Sequence, residues 1–169
     1  LPAIAQEKLH SYLQQQFSGF THFYPLTATQ RDIYIDSVLF PLKRHNQLGF
    51  LTHSTTPLDI SVWHDVLEKL YNHCDSLRAR IIQTNKPLVD FAYQVIAPEG
   101  SLPESCFLYI DHGDIALNDN SKKQAIEKAL YSPYHAADTL WRLHIHQFAD
   151  NNYLFILAAH HALFDGVSI

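Results

Sequence analysis

The chain has 169 residues and is 47% hydrophobic, enough for one buried core and too little for several domains. Its formal charge of −5, from 12 Lys+Arg against 17 Asp+Glu, excludes the basic footprint of a nucleic-acid binder, and no apolar run is long enough for a membrane span or a secretory leader. Two cysteines, Cys74 and Cys106, lie in no metal or redox motif and read as reduced thiols of a cytoplasmic protein.

Residues from Pro2 to about Gln16 predict a helix with Ile4, Leu9, Tyr12 and Leu13 in a loose stripe. Residues 1–20 are taken as an upstream helix or linker, an ordinary packing helix being preferred to a docking element. Ser18-Gly19 breaks the chain, and a second helix runs from about Ala28 to Leu39, stopped by Pro41. Gln47 to Ser54 is a strand. Asp59 caps a strong helix that extends to about Cys74, with Val62, Val66, Leu67 and Leu70 on its inner face. Arg80–Thr84 and Val89–Ile96 are strands about a turn at Asn85-Lys86-Pro87, and Cys106–Asp111 is another. Ser121 with Gln124 three residues on has the form of a capping box for a helix to about Leu130, ended by Pro133. Leu140–Phe148 and Tyr153–Ala159 then form a hairpin about Asp150-Asn151-Asn152. Helices and strands intermix, so the expected fold is α/β, a mixed-sheet α/β sandwich. His144 and His146 share one face of their strand; the ordinary reading is a solvent-facing stripe, the sharper one a metal pair.

The strongest local signal follows the last strand. His160-His161-Ala162-Leu163-Phe164-Asp165-Gly166 leaves an apolar run without polar alternation, as expected of a strand covered on both faces. Consecutive strand side chains point to opposite sides, so one histidine faces a site while the other supports it. A neutral imidazole there takes or holds the proton of an attacking amine or hydroxyl, as acyl transfer requires. Asp165-Gly166 marks a tight reversal in which glycine permits an unusual backbone or a close ligand approach. A metal site lacks the close ligand spacing that makes zinc motifs convincing. A purely structural pair is the usual reading of a lone histidine, but the full pattern after a buried strand argues against it.

This string resembles the signature of the chloramphenicol-acetyltransferase-like superfamily, and most closely that of the condensation domains of non-ribosomal peptide synthetases. Three weaker matches follow in the right order. Leu26-Thr27-Ala28-Thr29-Gln30 is similar to their opening Leu-Thr-x-x-Gln, and Leu77-Arg78-Ala79-Arg80-Ile81 to their Leu-Arg-Thr-x-Phe, although of the preceding Arg-His-Glu only His73 is kept. Ser132-Pro133-Tyr134 with Leu140-Trp141-Arg142-Leu143 resembles their Pro-Phe-Asp-Leu…Pro-Leu-Leu-Arg segment.

The resemblance implies that His161 is the catalytic histidine and His160 a structural one. Asp165 is then structural too, held by an arginine: Arg78, Arg142 or one elsewhere in the protein, with a solvated or strand-edge arginine as the equal alternative for both. Gly166 places its amide near the developing oxyanion. No metal and no tightly bound cofactor is implied; substrates ride on the phosphopantetheine of acyl or peptidyl carrier proteins. Such domains have two lobes, and residues 1–169 are expected to be the amino-terminal one, the carboxy-terminal lobe and neighbouring domains being partners. The absence of methionine and an end just after Gly166 suggest an excised lobe, catalytically silent alone. The alternatives are a stand-alone coenzyme-A-dependent acyltransferase, an epimerisation domain, or a silent carrier-docking lobe.

Overall fold

Two sheets meet at the carboxy-terminal turn of the chain, and the histidine pair lies where their cores join. The structure, a computed structural model, describes residues 3–41, 43, 45–84, 92–131, 134 and 138–164. The expected turn at Asn85-Lys86-Pro87, Pro133, Asp165 and Gly166 lie outside these.

The smaller sheet has the order β1-β4-β3, built from β1 (His22–Pro25), β3 (Ala79–Gln83) and β4 (Ala92–Ile96), all antiparallel. Helix α1 (Ala3–Gln16) lays Leu9 and the fully buried Leu13 onto it, against Phe20, Ile82, Tyr93 and Val95. Strand β1 was not expected from the sequence. Its four residues are too few to show a period, and its pairing with β4 is entirely non-local. Helix α2 (Ala28–Leu39) follows. Its Leu-Thr-x-x-Gln start is a reciprocal cap: the Gln30 amide donates to Thr27 Oγ1 (3.2 Å), and the Thr27 amide to Gln30 Oε1 (3.0 Å).

The larger sheet has the order β2-β7-β6-β5, from β2 (Gln47–Ser54), β5 (Phe107–Asp111), β6 (Trp141–Phe148) and β7 (Asn152–His160). The β5–β6 pair is parallel and the other two antiparallel, so the sheet is mixed as expected. The β6–β7 hairpin closes through Asp150 and Asn151, both in the left-handed region (φ 57° and 54°) that Asp and Asn tolerate best among non-glycine residues.

Strand β7 is buried on both faces, which explains its unbroken apolar run. Its odd-numbered residues join Trp141, Leu143 and Ile145 beneath α3 (Ile60–His73), which contributes Trp63, Leu67 and Tyr71. Its even-numbered residues Leu154 and Ile156 meet Ala125 and Ala129 of α5 (Asp119–Tyr131). These small residues let α5 approach closely, and Gly49 in β2 leaves room for Leu130.

Three expectations are corrected. The inner face of α3 is Trp63, Leu67 and Tyr71, whereas Val62, Val66 and Leu70 are 53, 44 and 45% exposed. They sit one residue, about 100°, off the buried stripe, and the larger aromatic side chains occupy the sheet-facing positions instead. Helix α5 begins at Asp119 with Asn118 as its cap, which accepts from the amides of Asn120 and Ser121 (3.0 Å each). Ser121 still belongs to the cap, its Oγ accepting from the Asn118 amide (2.9 Å), but as the third helical residue and not as the cap itself. Finally, His144 and His146 do not face solvent. They are 6% and 1% exposed, because α5 crosses that face of β6.

Candidate active site

The two histidines are held by opposite kinds of contact. His160 is the last residue of β7, 7% exposed, and its ring points toward α2. The Ala162 amide donates to its Nδ1 (3.1 Å), so that nitrogen carries a lone pair and the proton is on Nε2. Nε2 in turn meets Ser37 Oγ at 3.0 Å, and the Ser37 hydroxyl passes its own proton to the Ile33 carbonyl (2.7 Å). Burial, with the neighbouring His161 second, pushes the His160 imidazole down to about 4, so it is neutral near pH 7. The ring is thus buried, neutral and engaged at both nitrogens.

His161 follows in the turn and is half-buried. Its Nδ1 lies 2.8 Å from the Phe164 carbonyl oxygen, which can only accept, so Nδ1 carries the proton. In the neutral ring the lone pair is then on Nε2, the nitrogen able to accept from an N–H or O–H. The sequence expectation placed both rings on one strand with opposite facings, whereas β7 ends at His160 and His161 lies in the turn that follows.

The turn itself is pinned at several points. The amides of Leu163 and Phe164 donate to the His160 carbonyl (3.1 and 3.2 Å), and the His160 amide to Leu140 (2.8 Å). Ala162 packs into the small-sheet core beside Tyr34, Ile81, Ala92 and Leu140, whereas Phe164 packs against the large-sheet core. The turn thus bridges the two cores and cannot shift without disturbing both.

Of the two candidate arginines, Arg78 closes the short helix α4 (Asp75–Arg78) and is 6% exposed. Its Nε donates to the Ala97 carbonyl (3.0 Å), its Nη1 to the Tyr71 carbonyl (3.0 Å) and to that of Asn72, and its Nη2 pairs with Asp75 (2.6 Å). It satisfies the carbonyl end of α3, the usual task of a cation at that end of a helix. Arg142 lies in β6 with its guanidinium carbon 4.1 Å from the centre of the Tyr134 ring, and Tyr134 meets His160 edge-on at 6.0 Å. Two segments singled out in the sequence are therefore brought to the histidine pair together. Asp165 and Gly166 lie outside the described residues.

Sequence reasoning missed Ser37 and Asn46. The Asn46 carbonyl accepts from the His161 amide (2.8 Å), while its side chain reaches Asp36 (2.7 Å). An N-x-x-H spacing or a serine on the helix would have signalled neither, because the contacts span 115 residues and more.

Among the described residues, no group of three His, Cys, Asp or Glu side chains is placed to hold a metal, and no helix is long and apolar enough to cross a membrane.

A family model described as a condensation domain matches residues 20–169. Among solved structures, the starter condensation domain of rhizomide synthetase RzmA is similar at a TM-score of 0.72 and 18% identity, over 87% of this chain and 36% of that one. The first condensation domain of the calcium-dependent antibiotic synthetase, in complex with a substrate analogue, is similar at 0.69 and 19%, over 88% and 36%. The chain thus spans about a third of the length of the structures it matches. No curated protein matches it.

Proposed function

The chain belongs to the condensation-domain family, and from that premise we propose that it is the amino-terminal lobe of an amide-forming acyltransferase of non-ribosomal peptide synthesis. The donor is an acyl thioester on the phosphopantetheine of one carrier protein, and the acceptor an amine held on another. The amine nitrogen attacks the thioester carbonyl carbon. A C–N bond forms, the C–S bond breaks, and the phosphopantetheine leaves as a thiol carrying the proton the amine has lost.

The observation that carries this reading is the bond from His161 Nδ1 to the Phe164 carbonyl, which leaves the lone pair of the neutral ring on Nε2. That nitrogen takes the amine proton, or holds the amine by it, and can return it to the departing sulfur; general-base help of this kind contributes roughly 10²–10⁴ in rate. His160 is structural. Gly166 offers its amide to the oxyanion. Asp165 orders the reversal through an arginine, with Arg78 and Arg142 the candidates within this chain; Arg78 already pairs with Asp75 and three carbonyls.

The test is intact-protein mass spectrometry on the complete domain with its carrier proteins, wild type against His161→Ala. Acyl transfer to the acceptor carrier that collapses in the variant supports the reading. Transfer at the wild-type rate in the variant removes His161 from the mechanism. A wild type that is silent with carrier-bound acyl groups but active with acyl-coenzyme A points to a coenzyme-A-dependent acyltransferase instead. The 169 residues alone are expected to transfer nothing, because the acyl and amine tunnels need walls from a second lobe.

A further inference from the structure

Both histidines are tied to one stretch of α2 and to the end of β2, His160 through its pairing with Gln47 and His161 through Asn46 just before the strand. The register pairs Gln47 with His160, so the next residues outward, Asn46 and His161, face each other and continue the ladder through the 2.8 Å bond from the His161 amide to the Asn46 carbonyl. Asn46 is only 9% exposed. Its side-chain amide donates to Asp36 Oδ2 (2.7 Å), and at 3.3 Å to the Ile33 carbonyl and to Ser37 Oγ. Ser37 is also the partner of His160 Nε2. His45 Nε2 meets the same Oδ2 of Asp36. Hydrogen bonds from Asn46 first and His45 second hold that carboxyl below its ordinary value, keeping it an acceptor.

We propose that Asn46 and Ser37 are positioning residues of this site: Asn46 fixes the backbone of His161, and Ser37 fixes the ring of His160. The proposal rests on the reading of His161 as the catalytic group. Both act through the histidines. Asn46 uses its carbonyl on His161 and its amide on α2, so the helix sets where the His161 backbone sits. Ser37 accepts from His160 and donates to Ile33, so the His160 ring has one orientation and one tautomer. A small cavity of about 110 Å³, lined by Ser37, Asn46, Gln47, Tyr134 and His160, lies beside this contact, so without the Ser37 hydroxyl the ring has space to turn.

The decisive readout is long-range ¹H–¹⁵N correlation of the imidazole nitrogens in the 169-residue chain, which needs no turnover. Wild type is expected to show His160 protonated on Nε2 and His161 on Nδ1. Asn46→Ala is expected to mix the two tautomers of His161 or broaden its ring signals. Ser37→Ala is expected to do the same to His160, and Ser37→Thr, which keeps the hydroxyl, to restore the wild-type pattern. Should Asn46→Ala fail to fold, the serine pair still decides. In the complete domain, Asn46→Ala is expected to lower kcat about 10- to 100-fold with KM little changed, as for sub-ångström to ångström misplacement of a reacting group. Unaltered ring nitrogens in Asn46→Ala and Ser37→Ala overturn the proposal. A transfer rate that ignores His161→Ala overturns instead the catalytic reading, and the ring spectra separate the two failures.

Discussion

Acidification should unfold this protein through its buried imidazoles, and the size of the effect can be worked out. His144, His146 and His160 each fall from 6.5 to about 4, with burial the leading cause in all three. His144 Nδ1 and His146 Nε2 face no hydrogen-bond partner among the described residues, and the charged groups acting on this pair are the cations Arg142 and Lys128. His112, stacked on His146 and on Phe148, adds to the repulsion. A proton on His144 Nδ1 or His146 Nε2 meets no acceptor among the described residues, and the pair's polar contact is that of His146 Nδ1 with His112 Nε2 (2.9 Å).

The unfolded chain therefore binds protons that the folded chain refuses, and stability falls as pH drops below 6.5 until the folded pKa near 4 is reached. At about 1.4 kcal/mol per pH unit, each ring costs about 2 kcal/mol between pH 7 and pH 5. The three together cost about 6 kcal/mol, a large part of a domain's usual 5–15 kcal/mol.

Urea unfolding of the chain, followed by tryptophan fluorescence from pH 8 to pH 5, reads this directly. The wild-type midpoint should fall steeply below pH 6.5. His146→Phe keeps the stack on Phe148 and removes one titrating ring. Its midpoint should be less pH-dependent, the difference from wild type growing by about 1 M urea between pH 7 and pH 5, for an m-value of about 2 kcal/mol/M. A wild-type midpoint flat over that range, or a variant that runs parallel to wild type, would refute the argument that these rings are buried neutral.

Three further outcomes are expected. Arg78→Met should cost about 3 kcal/mol in urea unfolding, because it strips partners from the carbonyls of Tyr71, Asn72 and Ala97; Arg78→Lys should recover little, since one ammonium cannot span the same fork. Thr27→Ala should lose about 1 kcal/mol through the α2 cap, measured by thermal unfolding, with Thr27→Ser close to wild type. Gly49→Ala would bring a Cβ to 2.7 Å from the Leu130 Cδ2; the clash is with the end of a flexible side chain, so the cost should be about 1–2 kcal/mol and should shrink in a Leu130→Ala background when tested by a double-mutant cycle.

Features written by neighbouring residues were legible in the chain. Asp59 caps α3, accepting from the amides of Ser61 and Val62 within three residues of itself. The β6–β7 hairpin follows from two strands joined by Asp150 and Asn151, residues that tolerate the left-handed backbone of the turn. The unbroken run from Tyr153 announced a strand covered on both faces. Each of these signals is carried by sterics and hydrogen bonds over four or five positions, so it survives without any knowledge of the fold.

What lay beyond reach depends on which element packs on which. Whether Val62 or Trp63 faced the sheet was settled by competition for one buried stripe, and periodicity alone ranked them equally. His144 and His146 are polar by composition and buried by circumstance, since only the passage of α5 over β6 removes them from water. Asn46 and Ser37 acquire their roles from the β2–β7 register and from the seating of α2 against the end of β7. Those pairings close loops of more than a hundred residues. Their energy lies in contacts between distant positions, and no local pattern can carry it.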